Sequence, residues 1–274
     1  GRGSPSGGVY LDIASRRDSD YIKRRLPSMY HQFMELAGVD ITKDPMEVGP
    51  TAHYVMGGVK VDAETCATTV DGLYAAGEVA AGLHGSNRLG GNSLSDLLVF
   101  GQRAGFYAAE HALTREFVNL DQAQSTEAVE RITAPLESDG NENPYTIQSE
   151  LRELMQAQVG IIRNQADMES ALNTIRTLKE RARGVSAPGG TAYNPGWHTA
   201  LDLEHLLSMA ETTTLAALER EESRGGHTRD DFPTASEEFG KVNVMAKYDE
   251  SGDIVIQQQT LAEMPNDLKE LFED

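Results

Sequence analysis

Residues 51–94 read TAHYVMGGVKVDAETCATTVDGLYAAGEVAAGLHGSNRLGGNSL, and the reading of this stretch decides the fold. It predicts paired short strands from Thr51 to Val61, one of them carrying His53, with a close backbone approach at Gly57-Gly58. A second buried strand is expected from Thr69 to Ala76, running into a Gly77-Glu78 turn. A glycine-rich loop then displays His84, Asn87 and Arg88 and enters a helix at Asn92-Ser93. Imidazole, guanidinium and a helix N-terminus brought together form a site for anions. In open α/β sheets ligand groups gather at the carboxyl ends of strands, which is where Glu78 is expected. The helix from Ser93 to about Leu113 is apolar on several faces, a pattern that predicts burial. Its Ser-Leu-Ser-Asp start offers a capping hydroxyl and an early acid suited to the helix dipole.

Upstream, Val9–Ile13 has a strand pattern. Asp18–Arg25 and Pro27–Leu36 read as two helical runs broken near Pro27, with Gly38 as C-cap and Val39–Val48 as a connector. His31 is expected on a helix surface. Downstream, from about Asp121 to Glu222, leucines, isoleucines and methionines recur at helical spacing. Three or four amphipathic helices in antiparallel packing follow from that, broken at ESDGNENP, RNQADM and RGVSAPGGTAYNPG. His205 lies on the last of them, packed or solvated. The segment KVNVMAKYDESGDIVIQQQTL reads as a hairpin with a Ser-Gly turn, followed by an acidic tail.

The whole chain sets outer bounds. Its 274 residues can bury a sizeable core, and 43 acidic against 24 basic side chains give a formal net charge of −19. That surface argues against nucleic acid and against direct binding to anionic lipid. No apolar run approaches the ~18 residues of a membrane span, and the opening GRGSPSGG has no signal core. The start lacks Met and begins in mid-loop, which suggests one piece of a longer chain. Cys66 is the single cysteine, so an internal disulfide and a four-cysteine metal site are both out of reach. It is expected on the solvent side of the DAETCATTVDG turn, and no metal site is expected.

The motifs PTAHYVMGG, GLYAAGEVAAGLHGSNRLGGNSL and ESRGGHTRDDFP, in that order, resemble the flavoprotein subunit of succinate dehydrogenase or fumarate reductase. The resemblance runs from Gly1 to at least Pro233 and concerns the C-terminal part of that subunit. The family's flavin phosphate loop, its covalent flavin histidine and its proton-shuttling arginine have no counterpart here. The implied fold class is α/β plus α. Residues 1–46 are expected to end a capping domain, 47–116 to be the C-terminal segment of an FAD-binding domain, 117–235 a helical bundle, and 236–274 the hairpin and acidic tail.

The resemblance implies FAD as cofactor and succinate or fumarate as substrate. An iron–sulfur protein subunit would receive the electrons, and membrane-anchor subunits would hold the complex on the inner face of the cell membrane. By the same resemblance His53 contacts a substrate carboxylate, and Arg88 clamps the other carboxylate and orients the dicarboxylate over the flavin ring. Glu78 meets the ribose region, while Asn92, Ser93 and Leu94 lie against the flavin ring at the helix start. His84 stands near the site with a structural or a functional role equally open. Arg224, His227 and Arg229 are expected to organise the junction between the helices and the flavin domain. Ser86 replaces the family's usual alanine. Physical chemistry is consistent with these roles: a dicarboxylate needs two separated anion clamps, and a planar five-donor guanidinium is the best single one. Two other readings stay open: an L-aspartate oxidase, which resembles the chain at the same motifs, and a non-catalytic fragment or interaction module.

Overall fold

The computed structural model describes residues 3–49 and 53–272, in two units that divide between Val55 and Met56. In the first unit the strand pattern near residue 9 becomes β1 (Val9–Leu11), and α1 (Ser19–Arg25) begins where the Asp18 carboxylate accepts the Tyr21 N–H at 2.7 Å. α2 (Pro27–Gln32) opens on Pro27, whose missing N–H costs nothing at a first helical position. A π-helical turn, Phe33–Ala37, extends it and ends at Gly38, which takes the left-handed conformation (φ 66°) as expected of the C-cap. The supposed connector 39–48 contains a strand, β2 (Met46–Val48), antiparallel to β1 with Leu11 opposite Met46. Ile22, Ile41 and Met46 form the small core here, and burial of Met46 is what turns the connector into a strand.

The second unit opens differently from expectation. Among the described residues, neither 53–61 nor 69–76 forms a strand; only isolated bridges join Val59 to Ala80 and Ala67 to Tyr74. His53 lies exposed in irregular backbone of the first unit, and Thr51 lies outside the described residues. Gly57 and Gly58 have φ of 142° and 136°, values that break a pleated strand. Gly58 does mark a close approach: a Cβ there would lie 2.1 Å from the Val79 carbonyl oxygen. Two hydrogen bonds seal this crossing, Val59 N–H to Val79 O at 2.7 Å and Ala81 N–H to Val59 O at 2.9 Å. The Gly77-Glu78 turn is a 3₁₀ turn, Gly77–Val79. Cys66 is a second correction. It is buried, not solvent-side, with φ of 60° and its Sγ 3.9 Å from the Phe100 carbonyl, and burial pushes the thiol pKa up.

α3 (Asn92–Leu113) has the expected span, but only Asp96 and Ala104 on it are buried. Leu94, Leu97, Leu98, Val99 and Phe106 stay largely exposed, so the predicted burial fails on these faces of the helix. Its N-cap is Gly91 (φ 86°) with no side-chain cap bond, which replaces the expected serine hydroxyl.

Four helices then form the bundle: α4 (Gln122–Glu137), α5 (Pro144–Gln158), α6 (Gln165–Ala182) and α7 (Pro195–Glu219). Asn143, Asn164 and Asn194 cap α5, α6 and α7, each accepting an N–H from the following turn. The helix-period residues Ile147, Leu151, Ile175, Leu178, Leu203 and Leu207 meet in one core. Full burial of each such side chain stabilises by roughly 1.5–3 kcal/mol. Arg181 clasps Glu142 (2.8 Å) and Glu150, joining α6 to α5, and Trp197 Nε1–H donates to the Ile132 carbonyl at 2.7 Å, joining α7 to α4. A parallel pair absent from the sequence reading, β3 (Ile162–Arg163) with β4 (Thr228–Arg229), fastens the segment after α7 to the α5–α6 junction. The expected hairpin is β5 (Val242–Tyr248) and β6 (Ile254–Thr260), Val242 opposite Thr260. A short helix, α8 (Asn266–Lys269), follows it. No helix of the described residues is long and apolar enough to cross a membrane.

Candidate active site

The loop 81–91 is glycine-rich because the backbone must turn repeatedly: Gly82, Gly85 and Gly91 all have positive φ. Three contacts fix it. At its entrance Gly77 packs under α3, where an added Cβ would come within 2.6 Å of Leu97 Cδ2. In its middle the largely buried His84 places Nε2 3.3 Å from Oδ2 of Asp96, itself buried, which pins the loop to the second turn of α3. His84 therefore has a structural partner within the helix that the loop enters.

The third contact comes from far along the chain. Gly226 N–H donates to the Ser86 carbonyl at 2.9 Å, and Gly225 (φ 59°) lies so close that a Cβ would meet the same oxygen at 2.3 Å. Ser86 is two residues before Arg88. The segment ESRGGHTRDDFP thus reaches the loop that the sequence singled out, within the second unit.

That segment is held by a network of ionic groups. Arg229, 1% exposed, donates to both Asp231 carboxylate oxygens at 2.7 Å and to the α7 C-terminal carbonyls of Ala217 (3.0 Å) and Leu218 (3.2 Å). Asp231 also accepts the Gln165 N–H at the start of α6, and the Arg229 guanidinium holds its carboxyl well below the usual range. His227 accepts at Nδ1 from Arg163 Nη1 (2.9 Å), since a guanidinium can only donate. Its Nε2–H then donates to the Arg220 carbonyl at 3.0 Å, so the ring is the neutral tautomer. Burial, and secondarily the neighbouring guanidinium groups, depress its pKa despite the Arg220 bond. Glu222 is buried with Arg224, Arg220 and the Ser236 N–H. Burial pushes its carboxyl up, but these three donors outweigh that and hold it below the usual value. Arg220 also binds the carbonyls of Phe239 and Val242, which attaches the hairpin. Arg224, His227 and Arg229 thus tie this segment to Glu222 and to the C-terminal end of α7. Arg163 and Glu222 belong to the network too; Glu222 lies in REESR (residues 220–224), between the two arginines it pairs with, a pattern legible in the sequence.

The structure therefore brings Glu78, His84, Arg88, Asn92, Ser93 and Leu94 onto one loop-and-helix-start assembly of the second unit. Arg88 is half-buried; Glu78, Asn92 and Leu94 are exposed. His53 belongs to the first unit. Asn92 N–H turns back to the Leu89 carbonyl and Leu94 N–H to the Gly91 carbonyl, both at 3.1 Å. Among the described residues there is no group of three or more His, Cys, Asp or Glu arranged to hold a metal ion.

Comparison with known proteins adds an independent line. Residues 148–270 match the family described as fumarate reductase flavoprotein C-term, and residues 1–94 match the FAD binding domain family. The fumarate reductase flavoprotein subunit of Haemophilus influenzae is 36% identical over 248 residues, 89% of this chain and 41% of that protein. Among solved structures, Mycobacterium smegmatis Sdh1 in complex with UQ1 superposes with a TM-score of 0.88 at 50% identity, covering 100% of this chain and 46% of that one. A quinol-fumarate reductase with menaquinol molecules gives 0.88 at 32% identity, covering 96% and 46%. The chain spans less than half the length of each of these relatives. With matching motifs, family assignments and fold, the chain belongs to the fumarate reductase/succinate dehydrogenase flavoprotein family.

Proposed function

We propose that this chain supplies the dicarboxylate-facing side of an FAD-dependent oxidoreductase that interconverts succinate and fumarate. The observation that carries the reading is Arg88, half-buried on a loop pinned by His84–Asp96 on one side and by Gly226–Ser86 on the other. A guanidinium on a loop fixed this way can form two parallel hydrogen bonds to a carboxylate. His53, in the first unit, is proposed from the motif resemblance alone as a further carboxylate contact.

The residues present suit a flavin. Gly90 and Gly91 leave the start of α3 open, with nothing within 4 Å of a built Cβ, and the helix begins without a side-chain cap. Leu89, Leu94 and Leu98 around it are strongly exposed apolar side chains that a planar ring would cover. Ser93 and Leu94 would lie against that ring, Asn92 beside them, and the exposed Glu78 carboxylate suits ribose hydroxyls. The flavin, when bound, supplies the hydride acceptor and donor. The chain's own part is to orient the dicarboxylate, to exclude water and to aim the positive end of α3 at developing charge. Electrons would pass through an iron–sulfur protein to quinone, with the flavoprotein held peripherally at the inner face of the cell membrane by anchor subunits. The match of residues 148–270 to a fumarate reductase C-terminal family supports this over an L-aspartate oxidase.

The test is Arg88→Ala in a flavoprotein that carries this chain. Loss of one partner of a desolvated charge pair costs about 2–5 kcal/mol, a fall in dicarboxylate turnover of roughly thirtyfold to several thousandfold. Flavin absorbance per chain should be unchanged. Normal turnover with succinate and fumarate refutes the clamp.

A further inference from the structure

We propose that His227 and the Gly225-Gly226 turn are positioning elements for the Arg88 guanidinium, so that the helical bundle sets the geometry of the carboxylate clamp. This goes beyond the function proposed above and rests on its assignment of Arg88.

The path is continuous. Arg163 is anchored by its Nε–H to the carbonyls of Val159 (3.1 Å) and Gly160 (3.0 Å) at the end of α5, and its Nη1–H reaches His227 Nδ1 at 2.9 Å. His227 is fixed on its other edge to the Arg220 carbonyl at the C-cap of α7. Its backbone closes a reciprocal pair with Arg224, N–H to O distances of 2.8 and 3.0 Å, which forces the chain between them into a two-residue turn. Gly225 at φ 59° and Gly226 are that turn, and its tip grips the Ser86 carbonyl. Ser86 is exposed and Gly85 and Gly82 beside it are conformationally permissive, so the Arg88 loop has little rigidity of its own on this side. The bundle, by contrast, is braced at Arg163, His227 and Arg220 from the ends of two helices. A reach of one hydrogen bond and one van der Waals contact transmits that rigidity to the loop. A misplacement of about 1 Å at a substrate-orienting group is enough to cost about a hundredfold in rate.

The glycine requirement is specific. At Gly225 any side chain meets both a positive φ and an oxygen 2.3 Å away, so Gly225→Ala must push the turn and Ser86 apart. The experiment compares wild type, Gly225→Ala, His227→Leu and His227→Gln in a flavoprotein carrying the whole chain. It reads flavin content, melting temperature, KM and kcat for fumarate, and equilibrium binding of succinate followed by the flavin absorbance change. Gly225→Ala and His227→Leu are expected to weaken succinate binding and raise KM about tenfold with flavin content unchanged. His227→Gln, which keeps a donor towards Arg220 and an acceptor for Arg163, is expected to recover most of the loss. In an Arg88→Lys background the Gly225→Ala effect on succinate binding should shrink to under twofold, because the group it positions has been replaced.

Equal Gly225→Ala effects in both backgrounds, or folded Gly225→Ala and His227→Leu proteins that bind succinate normally, overturn the proposal. Should Gly225→Ala fail to accumulate, the His227 pair decides: no difference between His227→Leu and His227→Gln overturns it. Failure of the underlying reading looks different, since Arg88→Ala itself would then bind and turn over dicarboxylate normally.

Discussion

Replacing Arg229 by Met removes the largest fully buried side chain among the described residues, a charged one, while keeping an apolar stem of similar reach. Three groups lose their partner at once. Asp231 loses a two-pronged bond at 2.7 Å on both prongs, and the carbonyls of Ala217 and Leu218 lose the donor that ends α7. The guanidinium also stacks on Phe232 at 4.9 Å. Breaking a buried ion pair by removing one partner costs about 3–5 kcal/mol. Asp231 retains 29% exposure and can rehydrate, which argues for the lower end, about 3 kcal/mol. For a body of this size each kcal/mol moves the melting temperature by roughly 2–4 °C, so a drop of about 6–12 °C is expected. Circular dichroism at 222 nm during heating measures it. Arg229→Met combined with Asp231→Asn should recover part of the loss, because the stranded carboxylate is then gone. A drop under 2 °C would show that water replaces the guanidinium at these carbonyls and would refute the argument.

Acid should weaken the same region in a defined direction. His227 has a depressed folded pKa, so the unfolded chain binds its proton first, and stability present above about pH 6.5 is lost as pH falls below it. Asp231 and Glu222 are also depressed, so their contribution, complete above the ordinary carboxylate range, is lost on further acidification below about pH 4. Urea midpoints at intervals from pH 8 to pH 3 should decline in that order, and a midpoint that rises between pH 7 and pH 5 contradicts the assignment. Cys66, 2% exposed with a raised pKa, should react with a thiol-specific disulfide reagent at least a hundredfold more slowly in the native protein than in urea, and equal rates would contradict its burial.

Local chemistry was legible in the sequence wherever the chain decides its own conformation. The bundle helices, Gly38 and the hairpin all follow from period and turn residues, and the structure has each of them. The strands expected around Gly58 and Tyr74 failed for a different reason. Short apolar runs form strands only when neighbours complete a sheet, and among the described residues isolated bridges are all that this chain provides there. α3 misled in the same way, since an apolar face predicts burial without saying what does the burying. The loop residues at the candidate site were visible as a motif. Their bracing through Arg163 was not, because its contact with His227 joins positions 64 residues apart that no local pattern connects.

The tie between Gly226 and Ser86 has a consequence for the order in which the protein is made. During synthesis the Arg88 loop leaves the ribosome ahead of the bundle, together with α3, and the turn that grips it emerges only after all four bundle helices. A contact of such long sequence separation is entropically costly and forms late. The Arg88 loop should therefore reach its final shape only when the bundle has closed and Arg163 and His227 have met, so a nascent chain carries the loop's sequence well before it carries the loop's conformation.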